Sequence, residues 1–241
     1  MSGHSKWATT HRQKAIVDAK RGAIFTKIGN QIAIAARGGT DPATNSALAM
    51  AIEKAKAANM PNANIQRAID RVNDKNAAAL EEVTYEAYGP GGVGIIVEAA
   101  TDNKNRTYPE IRTALTKNGG TMADAGSVMF QFTRKGVIRV AATGEDALLQ
   151  VLDAGAEDAV EEGGGLTVYT DMKDLAKVRA ALVQAGLNVE DAELQYVANN
   201  DVPVDDIETA RKLMKVLDAV EELDDVTNVH TNADITVDID E

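Results

Sequence analysis

The spacing of apolar residues changes near residue 80, and this change constrains the fold more than any other feature of the sequence. Before that point apolar residues recur every three or four positions, which is the period of one face of an α-helix. The first such stripe consists of Ile24, Ile28, Ile32 and Ala35. Beyond it, Val83 and Tyr85 alternate with polar residues, which is the period of a half-buried strand. The chain therefore predicts a helical N-terminal region followed by mixed helices and strands.

Two further stripes complete the helical region. The second consists of Leu48, Ile52 and Ala55, and the third of Ile65, Ala68, Ile69 and Val72. Gly38-Gly39 stops the first helix and Asp41-Pro42 precedes the second, as is typical of residues at helix ends. Three short amphipathic helices with short connections predict a small bundle over residues 1–78, with a linker over 73–80.

The next part predicts a hairpin, a helix and a third strand. The hairpin strands lie around Val83 and Tyr85 and over 93–99, the helix spans 105–118, and the third strand spans Val128 to Phe132. Gly89 to Gly92 form the hairpin turn, and Gly119-Gly120 ends the helix. The run 89–94 could also cradle a phosphate, but it lies between two strands, whereas phosphate loops lead from a strand into a helix.

Residues 135–201 contain a complete unit of their own. Its strands are predicted over 137–141, 156–161, 166–169 and 192–197, and its helices over 145–153 and 172–185. The order βαββαβ is the ferredoxin-like pattern. A helix over 205–222 and a strand over 226–230 follow, which are too few elements for a domain. The inward positions of that helix are Ile207, Leu213, Val216, Leu217 and Val220.

Neither of the incomplete parts on the two sides of this unit can cover its own sheet. Three strands with one helix leave much of one sheet face bare, so we expect the parts to join. The predicted fold class is α+β multidomain, with an N-terminal helical bundle and two ferredoxin-like domains. The second domain is discontinuous and permuted, over 79–134 and 202–241, and the third, 135–201, is inserted into it. The acidic end, 234–241, is interpreted as a solubilising tail.

Charge is distributed unevenly along the chain. The net charge is −12, yet residues 1–75 carry 12 basic and 5 acidic residues and a net charge of +7. Residues 76–241 carry a net charge of −19. Such asymmetry within one chain indicates an anionic partner for the basic end, with a solvated basic face as the alternative.

No catalytic residues, metal ligands or cofactor are predicted. The chain has no cysteine, which fits a reducing compartment, and its three histidines lack the spacing of metal ligands. The carboxylates of 157–162 are interpreted as a solvated face, with a divalent-ion site or an acid–base pair as the alternative. No apolar run could span a membrane, and the N-terminus lacks a secretory core, so we expect a cytoplasmic protein. A transit peptide is the alternative for that basic start.

The candidate nucleic-acid contacts lie near the start of the chain. They are Lys6, Trp7, His11, Arg12, Lys14, Lys20, Arg21, Lys27 and Arg37. Lysine and arginine attract phosphates without reading sequence. Trp7 could stack on an exposed base, or it could pin the N-terminal segment onto the bundle.

Several motifs in this chain resemble the YebC family, which also includes the mitochondrial translational activator of cytochrome c oxidase. They are GHSKWA (3–8), DAKRG-IFTK (18–27), EKAKAANMP (53–61), YEAYGPGGVG (85–94), TDNKNRT (101–107), KNGG (117–120), GSVMFQF (126–132) and KGVI (135–138). The resemblance runs from residue 3 to about 235. It implies the three-domain order inferred above and places the family's basic motif on Lys6, Lys14, Lys20, Arg21 and Lys27. The chain is less basic than the family pattern at 8–13 and at Ser46, Ala47 and Ala49.

The resemblance also implies a non-enzymatic cytoplasmic protein that regulates gene expression. Most members carry names of DNA-binding transcriptional regulators, and others act in translation at the ribosome, where they ease the synthesis of difficult stretches. We therefore expect DNA or structured RNA, including the ribosome, as the partner, and no membrane. An enzyme that uses the acidic face, or a protein-interaction adaptor, is the alternative. The oligomeric state stays open.

Overall fold

A computed structural model of the chain describes residues 21–74 and 78–237, with the backbone alone of Arg21. The described residues divide into two compact units. One runs to Phe132 and resumes at Ala198, and the other spans Thr133–Val197. Helices and strands are both present, as predicted, and the α+β fold class is confirmed. The boundaries of the three predicted domains stay a prediction.

Three helices form the N-terminal bundle. They are α1 (Arg21–Ala35, as far as it is described), α2 (Ser46–Ala57) and α3 (Asn62–Asp70). The buried core of the bundle consists of Ile28, Ile32, Ala36, Leu48, Ala55, Met60, Ile65 and Ile69. The three predicted stripes are therefore confirmed, except at Val72, whose side chain is 38% exposed. Val72 lies in a 3-10 turn beyond α3, where the period of the α-helix no longer applies.

Asn45 fastens the connection between α1 and α2. Its side-chain oxygen accepts the Leu48 amide at 3.1 Å and so caps α2. Its side-chain amide donates to the carbonyls of Ala35 and Gly39, at 2.7 Å each. A 3-10 turn, Ala36–Gly38, follows α1, and Gly39 ends it with a φ of 137°, a conformation that favours glycine. One short polar side chain thus fixes the turn that Gly38-Gly39 was predicted to make.

The rest of the chain contains ten strands and four helices within the described residues. The strands are β1 (Glu81–Tyr88), β2 (Gly94–Thr101), β3 (Thr121–Met122), β4 (Phe132–Val140), β5 (Asp158–Glu162), β6 (Gly165–Thr170), β7 (Val189–Ala198), β8 (Val202–Val204), β9 (Val226–Thr231) and β10 (Ala233–Ile235). The helices are α4 (Lys104–Lys117), α5 (Glu145–Asp153), α6 (Leu175–Gln184) and α7 (Ile207–Glu221).

The first sheet has the antiparallel order β3-β1-β2-β9. Its strands come from both sides of the inserted segment, as predicted. On one face Ile95 and Val97 of β2 pack with Leu213 and Leu217 of α7. Because neighbouring residues of a strand face opposite sides, Ile96, which is fully buried, lies on the other face. That face is covered by α1, which contacts β2 and β9, and by the loop 123–131.

The hairpin between β1 and β2 confirms the predicted turn. Tyr88 pairs with Gly94, and the Gly89 amide donates to the Val93 carbonyl at 2.8 Å. Gly91 and Gly92 have φ values of 79° and 75° in this turn. The run 89–94 therefore joins two strands and does not open a helix.

The predicted strand over Val128 to Phe132 is wrong. The third strand of the sheet is Thr121–Met122, and Met129–Gln131 form a 3-10 turn. Val128 is buried and the spacing is strand-like, but the backbone amides of this segment are already engaged. Those of Gly126, Val128 and Met129 donate to the carboxylate of Glu86 at 2.5, 2.6 and 2.7 Å. A side chain distant in sequence thus takes the donors that a strand ladder would need.

The interpretation of 234–241 as a tail is wrong for its first residues. Asp234 and Ile235 belong to β10, which pairs in parallel with the unpredicted β8. Ile235 is 4% exposed and joins the core beneath the first sheet. Ile207 was predicted to face inward, but at the first turn of α7 it is 38% exposed. The other four predicted positions of α7 are fully buried.

The unit Thr133–Val197 has the strand order β5-β6-β4-β7 with α5 and α6, which confirms the ferredoxin-like pattern. Ile138 of β4 pairs with Val168 of β6, and both side chains are fully buried. Here the hairpin joins an edge strand to a central one. In the first sheet the hairpin joins the two central strands, so the two sheets differ in order.

Glu86 holds the loop 123–131 against the first sheet. The carboxylate is 7% exposed and accepts all three amides described above. Burial raises the pKa of the Glu86 carboxyl, but the donors at Gly126, Met129 and Val128 together lower it by more, so that it lies below its usual value. The charged form of Glu86 is therefore the one that stabilises the loop.

We predict that residues 133–197, expressed alone, fold independently. The segment has its own sheet, two helices and a buried core, and so meets the requirements of a small domain. Circular dichroism should show a cooperative thermal transition. A chain without a transition would contradict this compact unit.

We predict that Glu86→Gln destabilises the protein at pH 7 by about 1–3 kcal/mol, the cost of disrupting hydrogen bonds to a charged group. A lowered folded pKa gives stability that is complete above the unfolded pKa and is lost as pH falls through the folded one. The difference in melting temperature between wild type and variant should therefore shrink as pH is lowered from 7 to 3.5. A difference that stays constant would show that the charge of Glu86 is not what holds the loop.

Candidate nucleic-acid interface

The structure describes only part of the predicted interface. Lys6, Trp7, His11, Arg12, Lys14 and Lys20 lie outside the described residues, as does the side chain of Arg21. Their role stays a prediction. Lys27 and Arg37 are described, and both donate hydrogen bonds to backbone carbonyls of the protein itself.

Lys27 lies on α1 and is half-buried. Its ammonium group donates to the carbonyl of Glu221, the last residue of α7. The C-terminal end of a helix carries partial negative charge, so a cation is stabilised there. Lys27 therefore fastens the helical bundle to the end of α7, in addition to any role toward phosphate.

Arg37 follows α1 and is exposed, but its guanidinium donates to the Leu80 carbonyl at 2.7 Å. Leu80 is buried and immediately precedes β1. Arg37 thus fixes the point at which the chain leaves the bundle and enters the sheet. Leu80 was predicted to belong to a linker, and this contact explains why the end of that linker is held in place.

Arg71 makes a third connection between bundle and sheet. It donates to Asn30 of α1 at 3.5 Å and lies 3.7 Å from the carboxylate of Asp102, just beyond β2. Asp102 also pairs with Arg106 at 3.2 Å. The bundle is therefore attached to the sheet through a chain of charged groups, as well as through the apolar face of α1.

The residues of the motif at 101–107 bond to other elements of the fold. Asp225 accepts hydrogen bonds from Thr107 at 2.6 Å and Thr101 at 3.1 Å, and pairs with Arg106 at 2.8 Å. Burial raises the pKa of Asp225, but these donors lower it by more, so the carboxyl titrates below its usual range. Arg106 and the two threonines thus hold β2, α4 and the residue that precedes β9 together. Lys104, the other basic residue of the motif, pairs with Glu81 of β1 at 2.6 Å.

Two exposed cations of the bundle were not singled out from the sequence. Lys56 follows the buried Ala55 on α2, and Arg67 lies on α3 between the buried Ile65 and Ile69. Arg67 donates to Asn64 at 3.1 Å, within the same helix. The helical stripes could have identified both residues, because they fall on the polar faces that the stripes leave outside.

The carboxylates of 157–162 have partners within the ferredoxin-like unit. Glu157 pairs with Lys135 at 3.2 Å, and Glu161 accepts the Gly144 amide at 3.2 Å. Glu162 accepts the Thr167 hydroxyl at 2.8 Å and lies 3.8 Å from Arg139. Elsewhere, His230 is buried and its Nε2 lies 2.9 Å from a carboxylate oxygen of Glu98.

The described residues contain neither a candidate metal site nor a helix that could span a membrane. Over 21–74 and 78–237, no three side chains of the metal-ligating acidic and histidine types come together as a possible ion site. Among the same residues no helix combines the length and the apolar character that crossing a membrane requires.

Comparison with known proteins gives consistent matches along the chain. The model of the "TACO1/YebC protein N-terminal domain" matches residues 5–75. The model of the "TACO1/YebC second and third domain" matches residues 80–233. The break between the two matches falls at the change of apolar period.

Relatives of similar length cover nearly the whole chain. Proteins of Salinispora tropica and Thermobifida fusca are each 50% identical, over 97% and 98% of this chain and 96% of their own length. A protein of Rhodococcus opacus is 49% identical over 98% of this chain and 96% of its own. All three are named "Probable transcriptional regulatory protein". The crystal structure of a conserved hypothetical protein from Aquifex aeolicus is 41% identical, with a TM-score of 0.88 over 94% of this chain and 95% of that one.

We predict that Lys27→Met lowers stability by about 1 kcal/mol, because it removes a charge-assisted hydrogen bond to the end of α7. The matched control is Lys56→Met, which makes the same substitution at an exposed helical position of the bundle. Thermal melting should show a decrease of about 2–4 °C for the first variant and little change for the second. Equal melting temperatures would contradict the anchoring role of Lys27.

Proposed function

Since the chain belongs to the TACO1/YebC family, we propose that it is a nucleic-acid-binding regulator of gene expression whose basic N-terminal region contacts the nucleic acid. The observation that carries this proposal is the separation of charge. Residues 1–75 have a net charge of +7, and residues 76–241 one of −19. Phosphates are attracted to the first part and repelled by the second, which favours one orientation of binding.

The described contacts narrow the set of residues that would carry this binding. Lys27, Arg37 and Arg71 already bond within the protein and anchor the bundle. Phosphate binding would then rest chiefly on Lys6, His11, Arg12, Lys14, Lys20 and Arg21, with exposed Lys56 and Arg67 at the margin. Trp7 lies among the first of these, where it would stack on a base or hold the segment against the bundle.

We favour structured RNA in the cytoplasm, including ribosomal RNA, over duplex DNA. Phosphate contacts position a protein without reading the sequence, and the sequence of the basic region does not show the row of base-reading side chains that is typical of a recognition helix. Recognition by shape and phosphate suits folded RNA, whose deep major groove excludes side chains. The protein would then act as a translation factor that eases the synthesis of difficult peptides and is not an enzyme.

A DNA-binding transcriptional regulator is the second candidate. The names of the relatives, "Probable transcriptional regulatory protein", favour it. Contacts to phosphates serve either partner, so the charge distribution does not separate the two. Sedimentation of a lysate on a gradient distinguishes the two candidates. A ribosome-bound protein migrates with ribosomal particles and leaves those fractions after treatment with RNase.

We predict that Lys20→Glu combined with Arg21→Glu weakens binding to a structured RNA at least tenfold. Each lost phosphate contact should reduce the slope of log affinity against log salt by about 0.9 on duplex DNA, or about 0.7 on single strands. The melting temperature should stay unchanged. Fluorescence anisotropy over a salt series, with an RNA hairpin and a DNA duplex of matched length, measures both quantities.

The matched control is Lys173→Glu combined with Lys177→Glu. Both lysines are exposed on the ferredoxin-like unit, and the control changes the net charge by the same amount. Its affinity should stay within about twofold of wild type. If the two double variants lose affinity equally, only the total charge matters, and the N-terminal region is not the contact surface.

A further inference from the structure

Phe130 is the most exposed of the large apolar side chains in the described residues, at 73%. Burying a phenylalanine side chain is worth about 1.5–3 kcal/mol, which this position leaves unused. Two residues later Phe132 is 7% exposed, so the chain buries one ring of this segment and presents the other to solvent. Packing in the core of the protein therefore does not explain why this position is a phenylalanine.

The backbone that carries Phe130 is fixed from both sides. On one side the Glu86 carboxylate accepts the amides of Val128 and Met129, which precede it. On the other side the Asn199 amide donates to the Gln131 carbonyl at 2.8 Å, and the Asn199 side chain donates to the Phe130 carbonyl at 3.2 Å. The residues before and after the ring are therefore held by separate partners distant in sequence.

The loop also rests on a closely packed base. A Cβ added at Gly94 would lie 2.9 Å from Val128, so only glycine permits the loop to come this near the sheet. Asn232 accepts the Gly94 amide at 2.7 Å and donates to the Gln131 side chain at 2.8 Å. The ring is thus presented by a rigid backbone, and a binding partner would meet little cost of ordering it.

The surroundings of the ring distinguish two kinds of partner. Protein interfaces centre on clusters of apolar anchors. Phe130, by contrast, is the one large apolar side chain of the loop 123–131 that is exposed, and the side chain bonded to its carbonyl is the amide of Asn199. An isolated aromatic ring in polar surroundings suits a flat π-face, which every nucleobase has. The rest of the loop from residue 125 to residue 131 also carries no acidic side chain. A nucleic-acid strand at the ring would therefore meet no carboxylate from these residues.

We propose that Phe130 is a stacking platform for an unpaired nucleobase, held in position by Glu86 and Asn199. This inference rests on the proposed function and adds a second contact to it, one that recognises bases where the N-terminal region contacts phosphates. It assigns the loop 123–131 a binding role and commits the protein to nucleic acid with at least one unpaired base.

The test uses the full chain and two labelled probes, a 12-nucleotide oligouridylate and an abasic strand with the same phosphate backbone. Phe130→Ala should weaken binding to oligouridylate about tenfold, within the range for one stacked base. Its affinity for the abasic strand should equal that of wild type. Phe130→Trp, which keeps an aromatic face, should restore binding to oligouridylate to within about twofold of wild type.

The matched control is Leu149→Ala, which removes an apolar side chain that is 55% exposed on the ferredoxin-like unit and should leave both affinities unchanged. Equal affinity of wild type and Phe130→Ala for oligouridylate would overturn the inference. The exposed ring would then fit a pocket on a protein partner. A loss on the abasic strand as large as that on oligouridylate would also overturn it. Absence of wild-type binding to both probes would contradict the proposed function itself, and this inference with it.

Discussion

The burial of strand β2 on both faces is the constraint on which the first unit depends. Its residues Ile95 and Val97 pack under α7, and Ile96 is fully buried on the opposite side. Two helices packed on a four-stranded sheet cover only one of its two faces. The second face is covered by α1 and by the loop 123–131, so the sheet buries this face only when the basic bundle packs against it. The loop 123–131, which carries one of the proposed contacts, and α1, which follows the other in sequence, both pack on this second face.

This arrangement divides the basic residues by task. Lys27, Arg37 and Arg71 bond to groups next to the sheet and hold the bundle in place. A cation that is engaged in this way gains little from a phosphate, because its present partner must first be given up. The proposed binding would therefore rest on the cations nearer the start of the chain. The Phe130 ring would supply a contact to a base, and Trp7 would either stack on a second base or pin the N-terminal segment onto the bundle. Phosphate attraction and base stacking together would give affinity without a sequence code.

Much of the fold could be predicted from periodicity, because local spacing determines helical stripes and strand alternation. The bundle core, the hairpin at 89–94 and the ferredoxin-like order followed from it. What failed depends on distant partners. The segment 128–132 has strand-like spacing, but Glu86, some forty residues earlier, takes its amides. The partner of Lys27 lies 194 residues away, and no sequence pattern indicates such a contact. Phe130 lies inside the motif at 126–132, but the sequence did not predict that its side chain is exposed, because the exposure depends on the conformation of the loop.

The central claim is that nucleic acid meets the basic N-terminal region and the loop 123–131, and is kept away from the acidic remainder. Ultraviolet cross-linking of the full chain to a single-stranded RNA, followed by mass spectrometry of the linked peptides, tests it most directly. The account predicts linked peptides from residues 1–75 and from 123–131. Linked peptides that come mainly from 141–197, the acidic part of the ferredoxin-like unit, would contradict it.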